Sequence, residues 1–231
     1  MTRALQAVIF DFDGVIANSE PLHLRAFQQA LGDEGIVLTA EEYYSRYLGY
    51  DDVGAFRALG QDRGIEMNQS RVATLVERKG VRLQELMDAG EVLFPGAADF
   101  IRASAQAVPI AIASGALRHE IDEIVVAAGL APLFATIVAS GDTPDSKPSP
   151  APYRLAFERL KAVQPDLEPH RCVAIEDSRW GLASAAGAGL RCVGVTTSYG
   201  AGELADAELI VEGLHRLTVS ALDDLVAGAT A

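Results

Sequence analysis

Short apolar runs recur along the chain, and longer segments with helical periodicity separate most of them. Each run has three to five residues, and such a run is typical of a strand that is buried on both faces of a parallel sheet. The runs that we interpret as strands are AVIF (7–10), PIAIA (109–113), TIVA (136–139), CVAI (172–175), CVGV (192–195) and the weaker LIV (209–211). The helix-like segments between them are AADFIRASAQA, HEIDEIVVAAG, PYRLAFERLKA and WGLASAAGAG. This alternation predicts an α/β fold with a doubly wound parallel sheet.

Residues 18–93 interrupt the alternation. They contain helical periodicity and no convincing buried strand. The helical segments are PLHLRAFQQAL, AEEYYSRYL, VGAFRAL and SRVATLVERKGVRLQELM. Because one crossover between parallel strands needs only one helix, we expect a separate α-helical domain over 18–93, inserted into an α/β core of 1–17 and 94–231. The alternative, in which these helices simply pack on the sheet, stays open.

The composition disfavours several classes of partner. The chain has 231 residues, and 19 lysines and arginines stand against 32 aspartates and glutamates, which gives a formal net charge of −13. This balance disfavours a nucleic-acid or anionic-membrane surface, and no stretch approaches the ~18 apolar residues of a membrane span. We therefore expect no nucleic-acid and no membrane partner. A small anionic substrate stays possible, since a bound cation can reverse the field locally.

Two cysteines, Cys172 and Cys192, each begin a predicted strand. They are too few for a structural zinc site, and we interpret them as free buried thiols in a reducing compartment rather than as a disulfide. The apolar run before Asp11 is also shorter than the hydrophobic region of a signal peptide. We expect a cytoplasmic protein. The sequence does not fix its oligomeric state, although we favour a monomer.

Polar residues follow the ends of four predicted strands. In strand order they are Asp11 and Asp13, then Ser114 and Gly115, then Lys147, then Glu176 and Asp177. Since ligands bind at the carboxyl ends of the strands in open parallel sheets, we expect these residues to gather at one edge.

This set of side chains suits phosphoryl transfer. Gathered carboxylates can coexist if a hard divalent cation neutralises them, and oxygen ligands with a phosphate suit Mg²⁺. A lysine and a hydroxyl can bind the remaining phosphoryl oxygens. One carboxylate can then attack phosphorus while another delivers a proton to the leaving oxygen. Taken singly, the features have plainer explanations, because Glu176 and Asp177 can cap a helix and Ser114 can be an ordinary N-cap.

Four motifs, in order, resemble the haloacid dehalogenase superfamily of aspartate-dependent phosphotransferases. They are DFDGVIANSEPLH, the Ser114-Gly115 pair, SKPSPAPY and IEDSRWGLASAAGAG. The helical insert between the first two motifs is similar to the α-helical cap of phosphoglycolate-phosphatase-like and β-phosphoglucomutase-like members. The resemblance implies a Rossmann-like core with an inserted cap domain. The segment KPSPAPYRLA also resembles sugar-bisphosphate phosphatases.

The resemblance implies distinct roles for the two aspartates of the first motif. Asp11 would be the nucleophile that forms an aspartyl-phosphate, and it would also bind Mg²⁺. Asp13 would be the general acid/base, with its backbone carbonyl reaching the metal. The dehalogenase branch typically lacks this second aspartate, so Asp13 favours phosphate esters as substrates. Gly14 would permit the turn out of the strand.

The resemblance also assigns the remaining motifs. Ser114, beside Gly115, and Lys147 would bind the phosphoryl oxygens, and Lys147 would restrain Asp11 as well. Asp177 would bind Mg²⁺ directly, and Glu176 would do so directly or through water.

Within the insert, His23 matches a histidine of the mutase-like branch and would help to position Asp13. The alternative interpretation is that His23 is a partly exposed helical histidine without a role in the site. Ser19 and Glu20 match a neighbourhood that faces the substrate in many caps, although Asn18 or Ser19 can also cap the helix that contains Pro21.

The segment YLGYDD (47–52) resembles a glycine-centred loop that carries flanking basic residues in mutase-like members. Those residues hold the second phosphate of the substrate. Leu48 and Asp52 stand in their places here, which disfavours a mutase, and the candidates to supply the missing charge are Arg46, Arg78 and Lys79.

The sequence therefore predicts a Mg²⁺-dependent phosphatase that hydrolyses a small phosphorylated metabolite, such as a sugar phosphate or a similar phosphomonoester, through an aspartyl-phosphate intermediate. The first alternative is a phosphosugar mutase of the β-phosphoglucomutase type. The second is a non-catalytic metabolite-binding protein with the same fold.

Overall fold

The computed structural model describes residues 3–47, 50–88 and 92–228. Leu48 and Gly49 of the predicted glycine-centred loop lie outside the described residues. The chain divides into two compact units. We call Met1–Asn18 together with Leu93–Ala231 the sheet unit, and Ser19–Val92 the helical unit.

One parallel sheet forms the centre of the sheet unit. Its strands are β1 (Ala7–Phe10), β2 (Ile110–Ala113), β3 (Phe134–Val138), β4 (Cys172–Glu176), β5 (Arg191–Val195) and β6 (Leu209–Val211). They lie in the order β3-β2-β1-β4-β5-β6, so the strand order reverses at β1. This confirms the predicted doubly wound parallel sheet and places its topological switch point, where such sheets bind ligands, at the end of β1.

Both faces of the sheet are covered, as the continuous apolar runs predict. The helices of the sheet unit are α5 (Ala97–Ala107), α6 (Arg118–Ala127), α7 (Ala151–Val163), α8 (Arg179–Gly187) and α9 (Val219–Ala227). Alternate residues of a strand point to opposite faces. Ile9 packs with Leu160 of α7 and Leu182 of α8 in one buried cluster, whereas the ring of Phe10 meets the edge of Phe100 of α5.

Strand β3 and helix α9 depart from the sequence prediction in ways that have a structural reason. Strand β3 begins at Phe134, two residues before the predicted run TIVA. It is an edge strand, and Ala135 is exposed, so the first half of β3 lacks a continuous apolar pattern. Helix α9 was not predicted; it follows Thr218, whose hydroxyl accepts a hydrogen bond from the Ala221 amide at 3.1 Å.

The helical unit consists of helices throughout its described elements. They are α1 (Glu20–Gly32), α2 (Ala40–Glu42), which continues into a π-helical turn (Tyr43–Tyr47), α3 (Asp52–Arg63) and α4 (Gln69–Asp88). Its core is separate and includes Phe27, Leu31, Phe56 and Leu75. No helix among the described residues of either unit has the length and apolar character needed to cross a membrane.

Candidate active site

Asp11 lies directly beyond β1, at the switch point of the sheet. Its amide donates to the Ile175 carbonyl of the neighbouring β4 at 3.0 Å, which extends the strand pairing and fixes the backbone there. The carboxylate is buried, and its Oδ1 accepts from the Phe12 amide at 2.7 Å and from Lys147 Nζ at 2.8 Å. Backbone and side-chain bonds therefore both hold Asp11 in one orientation.

Lys147 connects two carboxylates. Its ammonium lies 2.8 Å from Asp11 Oδ1 and 2.6 Å from Glu176 Oε1. Burial alone would lower the pKa of Lys147, but the charges of Asp11 and Glu176 outweigh burial and raise this pKa above its ordinary value. The lysine therefore stays protonated at neutral pH.

Glu176 is fully buried at the end of β4, and both of its oxygens accept hydrogen bonds. Oε1 accepts from Lys147 and from the Tyr153 hydroxyl at 2.7 Å, and Oε2 accepts from Ser178 Oγ at 3.2 Å. Burial and the charge of Asp11 raise the pKa of Glu176 to about 7, against the opposing effect of Lys147. The helix-cap alternative for Glu176 and Asp177 is wrong, because Ser178 caps α8 by accepting from the Gly181 amide at 3.1 Å.

Asp177 is the third buried carboxylate of the group. Burial, followed by the charge of Asp11, raises its pKa to about 6, although a hydrogen bond from Ser198 opposes this shift. Asp177 lies against the main chain of Gly14, which has a φ of +78°, and a Cβ built on Gly14 would lie 1.9 Å from Asp177 Oδ2. The turn after β1 thus needs glycine for its conformation and for the close approach of Asp177.

The carboxylates of Asp11, Glu176 and Asp177 fit a metal site. One oxygen from each lies within 4.8 Å of the others, and all three residues are buried. Lys147 supplies one positive charge against these three carboxylates. Burial raises the pKa values of Glu176 and Asp177, and the charge of Asp11 adds to this shift. A divalent cation would offset the remaining negative charge, with ligands of the type that hard cations prefer.

The other predicted residues of the sheet unit lie at the same edge. Asp13 is exposed and forms an isolated parallel bridge with Ala17. Ser114 is buried beyond β2, and its hydroxyl accepts from the Ala116 amide at 3.0 Å. It does not cap α6, which begins four residues later. Gly115 is exposed, and a Cβ built on it would have no atom within 4 Å.

The predicted residues of the insert belong to the helical unit. Ser19 precedes α1, but its side chain makes no capping hydrogen bond. Glu20 Oε1 accepts from the Tyr43 hydroxyl at 2.5 Å. His23 Nδ1 lies 2.9 Å from Nζ of Lys79, a buried lysine.

Each of the cations proposed to replace the missing charge of the mutase loop lies beside a carboxylate. The separations are 3.4 Å for Arg46 and Asp62, 3.6 Å for Arg78 and Glu34, and 2.8 Å for Lys79 and Asp52. Asp52, which stands where mutase-like members carry a basic residue, therefore pairs with a lysine of the same unit.

Sequence reasoning missed several groups that contact the buried carboxylates or the turn after β1. Tyr153 is buried on α7, and its place within the motif SKPSPAPY was the signal available in the sequence. Ser198 bonds Asp177, and the Thr197 hydroxyl donates to the Gly14 carbonyl. Both follow β5, so the strand-end argument would have found them if it had included the fifth strand.

Comparison with known proteins shows which sequences this chain resembles. The family model described as a haloacid dehalogenase-like hydrolase matches residues 5–189. Protein CbbY of Rhodobacter capsulatus is 32% identical over 206 residues, which cover 86% of this chain and 88% of CbbY. The phosphoglycolate phosphatase of Yersinia pseudotuberculosis is 30% identical over 203 residues, covering 87% of this chain and 85% of that enzyme.

Solved structures show the same fold. The crystal structure of CbbY from Rhodobacter sphaeroides in complex with phosphate has a TM-score of 0.72 at 30% identity, covering 95% of this chain and 99% of that one. A putative β-phosphoglucomutase from Thermotoga maritima has a TM-score of 0.75 at 22% identity, over 98% of this chain and 99% of its own. At 22% identity, this likeness shows a shared fold and nothing about activity.

Proposed function

The chain belongs to the haloacid dehalogenase-like hydrolases, and from this premise we propose that it is a Mg²⁺-dependent phosphatase that hydrolyses a small phosphorylated metabolite through an aspartyl-phosphate. One observation carries the proposal. Asp11, at the switch point of the sheet, is held by Lys147 beside the buried carboxylates Glu176 and Asp177. The proposed nucleophile, a lysine cation and carboxylates that could bind a metal thus lie at one edge of the sheet.

Asp11, Asp177 and the backbone carbonyl of Asp13 would hold the Mg²⁺. Bound there, the ion would neutralise charge on the carboxylates and on the phosphoryl oxygens. Glu176 is less suited to direct ligation, because its oxygens already accept from Lys147, Tyr153 and Ser178. We assign to Glu176 the task of positioning Lys147.

The chain's own residues would carry the reaction in two steps. The Asp11 carboxylate attacks phosphorus, and the ester P–O bond breaks as Asp13 protonates the leaving oxygen. Lys147 and Ser114 bind the phosphoryl oxygens, where negative charge develops. Asp13 then takes a proton from water, which attacks the same phosphorus, and inorganic phosphate leaves as the Asp11 carboxylate is restored. The exposed position of Asp13 agrees with proton exchange with substrate and water.

The relatives guide the proposed substrate class. CbbY of Rhodobacter sphaeroides has been solved with phosphate and, as a variant, with xylulose-1,5-bisphosphate, and another relative is a phosphoglycolate phosphatase. We extend to this chain the shared chemistry, a phosphate ester of a small sugar or acid. Two buried free thiols support a cytoplasmic location, and the net charge of −13 agrees with a partner other than nucleic acid.

The proposal is tested by phosphate release from p-nitrophenyl phosphate and acetyl phosphate. We expect Mg²⁺-dependent turnover that falls to background after chelation by EDTA and in Asp11→Asn. Asp166→Asn makes the same chemical change at an exposed position between α7 and β4 and should retain turnover. Turnover that persists after chelation or in Asp11→Asn would contradict the Mg²⁺-dependent aspartyl-phosphate mechanism.

The same preparation separates the alternatives. Efficient conversion of β-glucose 1-phosphate to the 6-phosphate, with a trace of bisphosphate and little free phosphate, would favour a mutase. Saturable binding of phosphate esters without phosphate release would favour a non-catalytic binding protein.

A further inference from the structure

Three side chains beyond β4 and β5 form a stack at the surface of the sheet unit. The guanidinium carbon of Arg179 lies 4.5 Å from the centre of the Trp180 ring. The rings of Trp180 and Tyr199 meet edge to face, with centroids 6.0 Å apart. Tyr199 packs on the buried core, whereas Trp180 is 43% exposed. This group, the Arg179 stack, is therefore anchored in the core and open to ligands at its Arg179 end.

The Arg179 stack is attached to the candidate active site at two points. Arg179 follows Asp177 by two residues, so their Cα atoms are at most about 7.6 Å apart. Tyr199 follows Ser198, whose hydroxyl bonds Asp177. The backbone segments that place Asp177 therefore also place the stack.

Arg179 differs from the cations of the helical unit that were considered for the substrate. Within the described part of the chain, no carboxylate lies within 4.0 Å of its guanidinium, whereas Arg46, Arg78 and Lys79 each have one. An arginine without a neighbouring carboxylate stands out in a chain with a net charge of −13, because carboxylates outnumber cations. An aromatic face holds a guanidinium by cation–π attraction and leaves the N–H groups at its edge to bind a carboxylate or phosphate in a bidentate manner.

We propose that the Arg179 stack binds a second acidic group of the substrate, a phosphate or a carboxylate, while the reacting phosphate lies at Asp11. The inference rests on the proposed function for the position of the reacting phosphate. It assigns recognition of the second group to a residue of the sheet unit, at the start of α8, rather than to the cations of the helical unit.

Intrinsic fluorescence tests the inference directly, because Trp180 is the single tryptophan of the chain. The Asp11→Asn protein, with Mg²⁺ present, is titrated with glucose 1,6-bisphosphate, with phosphoglycolate and with glucose 6-phosphate. We expect a saturable change in Trp180 emission with one or both of the diacidic probes, and the probe that produces it identifies phosphate or carboxylate as the second group. Glucose 6-phosphate, with a single acidic group, should give a smaller change.

A matched pair of variants in the same background separates the stack from general charge effects. Arg179→Gln should raise the Kd of the diacidic probe about tenfold, the loss expected for one charge-assisted contact. Arg102→Gln removes the same charge from an exposed position on α5 and should leave the Kd unchanged. Equal responses to all probes, or a Kd unaffected by Arg179→Gln, would overturn the inference.

The outcomes also distinguish this inference from the proposed function. Phosphate release by the native chain with a silent Trp180 would leave the phosphatase standing and remove the inference. Probe binding at Trp180 without phosphate release would remove the phosphatase and leave the Arg179 stack standing as a binding site for an acidic group. Emission that changes with protein concentration alone would mean that a second copy covers Trp180, and this would also overturn the inference.

Discussion

Gly14 and Gly181 lie against two of the buried carboxylates, and each is needed for a different reason. Gly14 adopts a φ of +78° and has no room for a side chain beside Asp177. Gly181 lies within α8, and a Cβ there would lie 1.9 Å from the carboxyl atoms of Glu176. Both carboxylates thus pack directly on the main chain, so the backbone itself sets their positions.

Gly14→Ala should lower both the free energy of unfolding and the activity, whereas an ordinary substitution at positive φ should lower the free energy of unfolding alone. The left-handed conformation alone costs roughly 1–2 kcal/mol for a residue with a Cβ. In addition, the methyl group must displace Asp177, and a displacement of this size near reacting groups lowers kcat/KM by on the order of 100-fold. Urea unfolding and phosphate-release kinetics measure the two effects.

Gly129→Ala is the matched control for this experiment. Gly129 also belongs to the sheet unit and has a φ of +64°, but a Cβ there would meet no atom within 4 Å. We expect a similar backbone penalty with unchanged kinetics. If both variants lost activity equally, the close approach of Gly14 to Asp177 would not matter for the site.

The residues that were predicted to gather at one edge of the sheet lie there because of the sheet topology. Asp11 follows β1, Glu176 is the last residue of β4 and Asp177 follows it, so their proximity results from the parallel pairing of β1 with β4. The contacts of Tyr153 and Ser198 with these carboxylates depend instead on the rotation of α7 about its axis and on the path of the loop after β5. A linear pattern of apolar residues encodes neither quantity.

At the scale of elements, continuous apolar runs predicted strands better than mixed apolar and polar patterns predicted strands or helices. The central strands β1, β2 and β4 are buried at every position, and their predicted bounds differ from the observed ones by at most one residue. Edge strand β3 and the nine-residue helix α9 carry mixed patterns. Short elements with mixed patterns have too few apolar positions to define a period. Strand β6 is also short and partly exposed, but all three of its residues are apolar, and it was predicted with its observed bounds.

Two glycines of the helical unit should respond to alanine in opposite ways. Gly80 is exposed within α4, and a Cβ there would meet no atom within 4 Å. Gly80→Ala should therefore raise the free energy of unfolding by about 0.5–1 kcal/mol, since alanine restricts the unfolded chain and favours the helix.

Gly60→Ala, in α3, tests the same substitution where space is lacking. Its Cβ would lie 2.3 Å from Met67 Cγ and 2.8 Å from the Ile65 carbonyl oxygen, and we expect a loss of about 1–3 kcal/mol from overpacking. Urea unfolding followed by circular dichroism measures both variants. Stabilisation by Gly60→Ala, or destabilisation by Gly80→Ala, would contradict this account of helix packing.

At the scale of the whole molecule, both thiols report on the core of the sheet unit. Cys172 begins β4 and Cys192 lies within β5, and both are buried and free. Burial raises the pKa of each thiol to about 12. Charges of nearby carboxylates add to this shift at Cys192, whereas the charges of Arg171 and Lys161 oppose it at Cys172.

Alkylation by iodoacetamide at pH 8 should therefore follow the unfolding of the sheet unit. A thiol with a pKa near 12 is about 0.01% thiolate at this pH, against about a quarter for an unperturbed cysteine. Mass spectrometry should find two added groups in high urea and almost none without urea. The labelling transition should coincide with the loss of native Trp180 fluorescence if the sheet unit unfolds cooperatively. Glutathione in the same tubes controls for the reagent. Fast labelling of either cysteine without urea, or labelling well before the fluorescence transition, would show that β4 or β5 opens independently of the rest of the sheet.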